Sequence, residues 1–450
     1  MKINVGENVL QEDPYCHVLR QEYRGSRCDM CFDSPDVLKK CTGCSGVYYC
    51  NRVCQKQDWT VHKLECKCLK AIAPKIPMDS VRFLLRLVIS LNLNLPMNNP
   101  WSRTVEDLMS HTDEIKADPD RSAQFTKVAY TLSEYAGKTV TLPDLHGLLK
   151  LYGKIVINSY TIYDGGLRDL GHGIYLSSSK LNHSCRPNAV ATYHGVKLLV
   201  KAVRDIPDGT HDKVFITYIN QMSPLEDRQE ALGKQYYFQC ACEKCNDKEI
   251  IENEISFCCP NSQCCGAVSL NKNRVFGSCR LCGKSDFPAN LRDRALAVLD
   301  ACKTRLGQIE EERKDNKWKE MLDGCEDLLR KSAGILHANN IYLVGVLDGA
   351  FCAAIYVKEY ELAAKYGART LDPYRLYYGD NSPNVALQLF MVGKIQLYLQ
   401  DMTTALKSLE MSRKILAVTH GTEHKIYKDV TLFVEQCREE LRVQLEKSVS

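Results

Sequence analysis

Cys28-x2-Cys31, Cys41-x2-Cys44, Cys50-x3-Cys54 and His62-x3-Cys66 set eight metal-type side chains in one register near the amino terminus. Thiolates and imidazoles separated by two or three residues can close on a single ion, and eight of them fill two tetrahedral zinc sites with none left over. Interleaving is the expected pairing: Cys28, Cys31, Cys50 and Cys54 on one ion, Cys41, Cys44, His62 and Cys66 on the other. The segment is too short to bury a conventional core, so zinc would supply most of its folding free energy. Cysteines that are merely buried are the bland alternative, and eight such spacings rarely coincide by accident.

A second string reads Asn182-His183-Ser184-Cys185-Arg186-Pro187-Asn188, followed by Tyr218 and then Cys240-x-Cys242-x2-Cys245. Three closely spaced cysteines need a fourth ligand from a distance, and Cys185 is the obvious candidate, against a free buried thiol. Beyond them, Cys259-x4-Cys264 and Cys279-x2-Cys282-Gly283 have the spacing of a zinc ribbon and predict an extra ion, with Cys258 and Cys265 as rival ligands.

These residues need elements to hold them. Residues 1–24 alternate apolar and polar around Gly6-Glu7 and predict one or two strands, which must pair with strands from elsewhere, the next β-rich stretch beginning near Ile174. The zinc segment is then an insertion. Apolar spacing is helical between Asp79 and Val156, broken at Asn98-Asn99-Pro100. A β meander follows from Gly173 to Tyr218, through AVATY, VKLLVKAV and KVFITY. Past residue 290 amphipathic helices take over, and at an offset of 42 Tyr356 matches Tyr398, Glu359 matches Asp401, Ala363 matches Ala405 and Lys365 matches Lys407. Small residues at matching positions predict paired helices packed closely, in a tetratricopeptide-type repeat.

Composition sets outer limits. A chain of 450 residues has room for about two to four domains. A net charge of +4 on 59 basic and 55 acidic residues is a mixed surface, not the basic bias that a phosphate backbone demands, so nucleic acid is not expected as the main partner. The 23 cysteines fall mostly at metal spacing with no secretory apolar region at the start, which points to a reducing compartment, cytoplasm and nucleus. The most apolar run, Val81 to Leu95, carries Arg82 and Arg86 at helical spacing and reads as an amphipathic core helix, with no membrane span.

The first register, with Tyr48-Tyr49-Cys50, Gln55 and Trp59, resembles the MYND zinc finger. Such fingers bind peptides, often proline-rich ones, and the near-balance of charge from Cys28 to Lys70 favours peptide over DNA. NHSC-x-PN, a later tyrosine and CxCxxC resemble a SET lysine methyltransferase with its post-SET zinc. Together with the carboxyl-terminal repeat, this resembles the SMYD (SET and MYND domain-containing) family over nearly the whole chain, and GARTLDPYRLYY and VTHGTEH look most like its third member.

The resemblance implies an α+β multidomain fold. Residues 1–24 would be amino-terminal SET strands, 25–70 the MYND finger, 71–155 a helical insert and 156–235 a SET core with a pseudoknot. Residues 236–288 would be the post-SET zinc segment with the ribbon, and 289–450 the helical-repeat domain. It also implies S-adenosylmethionine as cofactor, three zinc ions with a fourth at Cys259, Cys264, Cys279 and Cys282, and methylation of histone or non-histone lysines by a monomer. By the same resemblance Tyr218 is the catalytic tyrosine, and Asn158, Asn182, His183, Tyr236 and Phe238 are cofactor contacts. Tyr160 and Tyr236 line the substrate channel. His111 falls where the family places polar cofactor contacts, but reads more simply as a solvated face residue.

One departure bears on activity. The family's Gly-x-Gly loop does not precede these strands, and Gly171-His172-Gly173, expected before a later strand, does not replace it. The sequence therefore predicts a truncated or alternative product, or reduced cofactor affinity. The alternative function is a weak or inactive adaptor that joins partners through the finger and the repeats.

Overall fold

The computed structural model describes residues 2–271 and 275–449. The chain divides into two compact units, Met1–Asn182 with Ala189–Phe215 and Lys234–Tyr237, and His183–Asn188 with Ile216–Gly233 and Phe238–Ser450.

In the first unit, two short amino-terminal strands join different sheets. Asn8–Glu12 pairs antiparallel with Lys197–Ala202, which also carries Ala189–His194. Cys16–Leu19 pairs antiparallel with Asp169–Ile174, which also carries Ser159–Tyr163. The fragment thus finds the distant partners its polar backbone requires. β structure resumes earlier than the expected Ile174, because the helix Leu145–Asn158 runs directly into the strand Ser159–Tyr163 and no breaker marks the change. Gly171-His172-Gly173 lies inside a strand, not ahead of one. A Cβ at Gly171 would sit 2.2 Å from the Val18 carbonyl oxygen and 2.9 Å from the Phe32 ring, so the glycine permits close approach.

The finger follows Leu19. Lys39–Lys40 pairs with Tyr48–Tyr49, and the helix Arg52–Ile72 starts at Asn51, whose side chain accepts from the Val53 and Cys54 amides. Cys54, Asp58, His62 and Cys66 recur every four residues and share one buried face. The helix Asp79–Asn92 is buried continuously from Val81 to Ser90. The core helix expected here is present, but Arg82 and Arg86 are only 1% and 5% exposed. Its would-be polar face is a buried charged one, neutralised by finger carboxylates. Pro119–Ala136 and Leu145–Asn158 complete the helical layer, their starts capped by Asp118 and Asp144.

In the second unit, helices Ala289–Lys314, Trp318–Ser332, Ile341–Tyr356, Tyr360–Tyr378, Pro383–Tyr398, Met402–Thr419 and Lys425–Val449 pack in series. The repeat at offset 42 corresponds to two hairpins, Ile341–Tyr356 with Tyr360–Tyr378 and Pro383–Tyr398 with Met402–Thr419. Ala363 and Ala405 are fully buried at equivalent positions. Helix-end Tyr356 stacks flat on Trp318 at 3.8 Å, and helix-end Tyr398 packs on Tyr360 at 4.3 Å. Trp318, Tyr360 and Met402 each open a helix at the same offset, so the period reaches one helix further back than the sequence alone reveals. Among the described residues no helix is long and apolar enough to cross a membrane.

Candidate functional site

The finger's eight ligands form two groups in the first unit, Cys28, Cys31, Cys50 and Cys54, and Cys41, Cys44, His62 and Cys66, the ligand atoms of each within 4.8 Å of one another. Cys31 and Cys50 Sγ are 3.5 Å apart, Cys41 and Cys66 Sγ 3.9 Å, and Cys44 Sγ lies 3.6 Å from His62 Nε2. A zinc–sulfur bond of about 2.3 Å sets tetrahedral edges of roughly 3.8 Å, so both donor sets fit the ion. When bound, the metals cross-link the loops to the helix Arg52–Ile72.

Behind them sits a layer of buried charge. His62 Nδ1 meets Glu65 at 3.1 Å, Glu65 accepts from Arg82 Nε at 2.5 Å and Arg86 at 2.7 Å, and Arg82 and Arg86 also pair with Asp29 and Asp58. Burial opposes ionisation of Glu65, yet the two guanidiniums outweigh it and hold the carboxyl well below the usual range. The carboxylate thereby fixes the imidazole's orientation, leaving Nε2 to face the sulfurs.

The second unit holds Cys185, Cys240, Cys242 and Cys245 as a third group, with Cys245 and Cys185 Sγ 3.6 Å apart. The Tyr218 amide donates to His183 Nδ1 at 3.0 Å, and His183 Nε2 lies 3.3 Å from Cys185 Sγ. With Nδ1 accepting, the proton belongs on Nε2, directed at the sulfur. Burial lowers the His183 pKa to about 4, so the ring is neutral near pH 7. Its faces meet Tyr218 at 5.2 Å and Phe238 at 6.1 Å. Both ring nitrogens are therefore committed within the protein. Gln221 donates to the Cys185 carbonyl, and Gln229 bonds both backbone groups of Cys240.

The remaining predicted residues lie in the first unit. Asn182 is exposed. Asn158 is buried and its Nδ2 donates to the Met109 and Lys154 carbonyls, so part of its capacity goes to ending its own helix. Tyr160 donates to the Ser178 carbonyl at 2.7 Å, accepts from the Ser178 hydroxyl and packs edge-on against Tyr175 at 5.6 Å. Tyr236 is half-buried, and desolvation raises its pKa to about 12. His111 is not a solvated face residue. Its backbone is left-handed (φ 46°), its Nδ1 meets Glu114 at 3.1 Å, and its ring tilts against Tyr237 at 5.3 Å.

Several contributors escaped the sequence reading. Tyr237 combines a left-handed backbone (φ 60°) with a buried hydroxyl that has no hydrogen-bond partner in the structure. The YYF run was a signal for it. Tyr175 and Tyr193 extend the aromatic wall behind Tyr160. Buried Glu12 accepts from the Ser177 and Ser178 amides and so fixes the loop that holds Tyr160. Nothing in the spacing of NVLQE distinguishes that glutamate from a solvated strand residue.

Comparison with known proteins places these features in a lineage. The MYND finger family model matches residues 28–66. Histone-lysine N-methyltransferase SMYD3 of Homo sapiens is 31% identical over 441 residues, covering 97% of this chain and 94% of the relative. Its Mus musculus counterpart is 30% identical with the same coverage. N-lysine methyltransferase SMYD2 of Gallus gallus is 30% identical over 432 residues, covering 95% of this chain and 91% of the relative. The similarity spans the finger, the sheets, the third cysteine group and the helical array alike, and the chain belongs to the SMYD family.

Proposed function

We infer that this chain is an S-adenosylmethionine-dependent protein-lysine N-methyltransferase. The observation that carries the reading is the linkage from Cys185 through the His183 ring to the Tyr218 backbone, which fixes a tyrosine against a metal-bound frame. When bound, the cofactor would supply a sulfonium methyl group, which a neutral amine would take by in-line attack as the thioether sulfur leaves. The protein's own task is to deliver that amine unprotonated and aligned.

Aromatic walls serve the first need. Lysine entering an apolar, tyrosine-lined channel loses hydration and becomes easier to deprotonate, while ring faces still accommodate the methylammonium product. Tyr160 and Tyr236 take that role. Tyr160 suits it because its hydroxyl is tied to Ser178, leaving the ring rigid. Tyr218 orients the amine, and Asn158, Asn182, His183, Tyr236 and Phe238 hold the cofactor.

Protein substrates and a protein-binding finger follow from the family. Histone tails are the first candidates for substrate, proline-rich peptides for the finger, and a monomer for the working form. Thiolate metal sites are stable where thiols stay reduced, which supports cytoplasm and nucleus. The test is calorimetry with S-adenosylmethionine, followed by transfer of labelled methyl to lysine peptides and to peptides with those lysines changed to arginine. Saturable binding and lysine-dependent labelling are expected. Absence of both would leave an adaptor built from finger and repeats.

A further inference from the structure

Cys259, Cys264, Cys279 and Cys282 converge in the second unit with all four Sγ atoms within 4.8 Å of one another. Cys259 and Cys282 are 3.6 Å apart, as are Cys264 and Cys279, close to the edges a tetrathiolate zinc requires. The rival thiols are elsewhere. Cys258 Sγ donates to the Leu336 carbonyl at 3.2 Å, and Cys265 is exposed outside the group.

The backbone repeats a pattern found in the finger. In the two C-x2-C knuckles of the finger and the one in the ribbon, the residue after the second cysteine has positive φ, Phe32 at 63°, Ser45 at 56° and Gly283 at 72°, whereas Asn246, after Cys242-x2-Cys245, is helical. In those three, that residue's amide donates to the first cysteine's carbonyl, at 2.9 Å for Phe32 to Cys28, Ser45 to Cys41 and Gly283 to Cys279. The Cys28 and Cys279 amides also donate five residues ahead, to Asp33 and Lys284, both at 2.8 Å. An amide-to-sulfur bond two residues past the ligand recurs too, Gly46 to Cys44 at 3.4 Å and Gly266 to Cys264 at 3.3 Å. Glycines press on sulfur in both places. A Cβ at Gly43 would stand 2.8 Å from Cys66 Sγ, and one at Gly266 would stand 2.6 Å from Cys279 Sγ.

We propose that Cys259, Cys264, Cys279 and Cys282 bind a fourth zinc ion and that this ion clamps the ribbon onto the entry of the helical array. The docking edge is explicit. The Cys258 amide donates to the Ile335 carbonyl at 2.8 Å, the His337 amide to Ser256 at 3.2 Å and Asn340 Nδ2 to Ser256 at 3.1 Å, while Phe257 is buried in the array's core. Arg280, between the two knuckle ligands, reaches Asn253 at 2.6 Å. The apolar cluster inside the ribbon is small, centred on Val268 with Phe276 and Phe287 beside it, so its edge strand depends on the metal for its shape. Cys282 is exposed, which makes this ion the first to yield to a chelator.

The test is zinc content of the full chain by native mass spectrometry. Four ions per chain are expected for the unaltered protein and for Cys265→Ser, and three for the Cys279→Ser/Cys282→Ser pair. Three in the unaltered protein, or a lost ion in Cys265→Ser, overturns the assignment. Should the paired variant fail to fold, stepwise chelation of the unaltered protein under hydrogen exchange decides. The first ion released should free the Cys258 and His337 amides while the Phe32 and Ser45 amides stay protected, and the reverse order contradicts the proposal.

Discussion

In the finger the buried groups around the metal ligands are Asp29, Asp58, Glu65, Arg82 and Arg86. In the array they are Ala350, Ala353, Ala363, Leu389, Ala405 and Leu409. Each finger carboxylate meets a guanidinium, and each array side chain fills a volume. The difference lies in how each region can fail. Buried charge is tolerable only while every partner is present, since one left unpaired in low dielectric costs several kcal/mol. An apolar helix pair loses stability in proportion to the volume misfitted. The finger should therefore break all at once and on a chemical signal, the array by degrees.

Removing metal should break the comparison most widely open. Structural zinc in finger peptides is worth about 10–16 kcal/mol, so complete chelation is expected to unfold residues 28–66 while the array keeps its helicity. Limited proteolysis, with circular dichroism for the array, checks this. Next comes Arg82→Met, which strands Asp29 and leaves Glu65 with Arg86 as its one guanidinium, and should cost about 3–5 kcal/mol in urea unfolding together with weaker zinc retention at His62. A cost under about 1 kcal/mol would mean the network is bystander charge.

On the array side, Ala405→Leu at a fully buried helix contact should cost about 1–3 kcal/mol by overpacking and leave zinc content untouched. The smallest effect is electrostatic. Burial, helped by neighbouring His424, lowers the His420 pKa from 6.5 to about 3. A depressed folded pKa means its contribution is complete above pH 6.5 and is lost as pH falls from there towards 3, about 1 kcal/mol being gone by pH 6. Replacing His420 with Gln should flatten the melting temperature of the array over that interval, and an unchanged slope would reassign the pH dependence.

Legibility in the sequence followed the same divide. Metal ligands announce themselves because coordination fixes both residue type and local spacing, so the four ligand groups could be picked out without coordinates, whereas Tyr218 is named only through the family resemblance. What holds those ligands could not. Arg82 and Arg86 fit an amphipathic helix until their carboxylate partners, seventeen to fifty-three residues away, are known. Glu12 looks like any strand glutamate, and His183 hides its bridging role because its contact with the Tyr218 amide is tertiary. The switch from helix to strand at Ser159 has no breaker to mark it. Trp318 escaped the repeat because an aromatic contact between helix ends, not residue identity, is what recurs.

Tyr218→Phe tests the central claim most directly. The Tyr218 bond to His183 comes from the backbone amide and the ring contact needs no hydroxyl, so the substitution leaves both in place and removes one oxygen. Single-turnover methyl transfer to a lysine peptide should fall by roughly 10²-fold, with zinc content and melting temperature unchanged. Transfer at the original rate would contradict the role assigned to Tyr218 in aligning the amine.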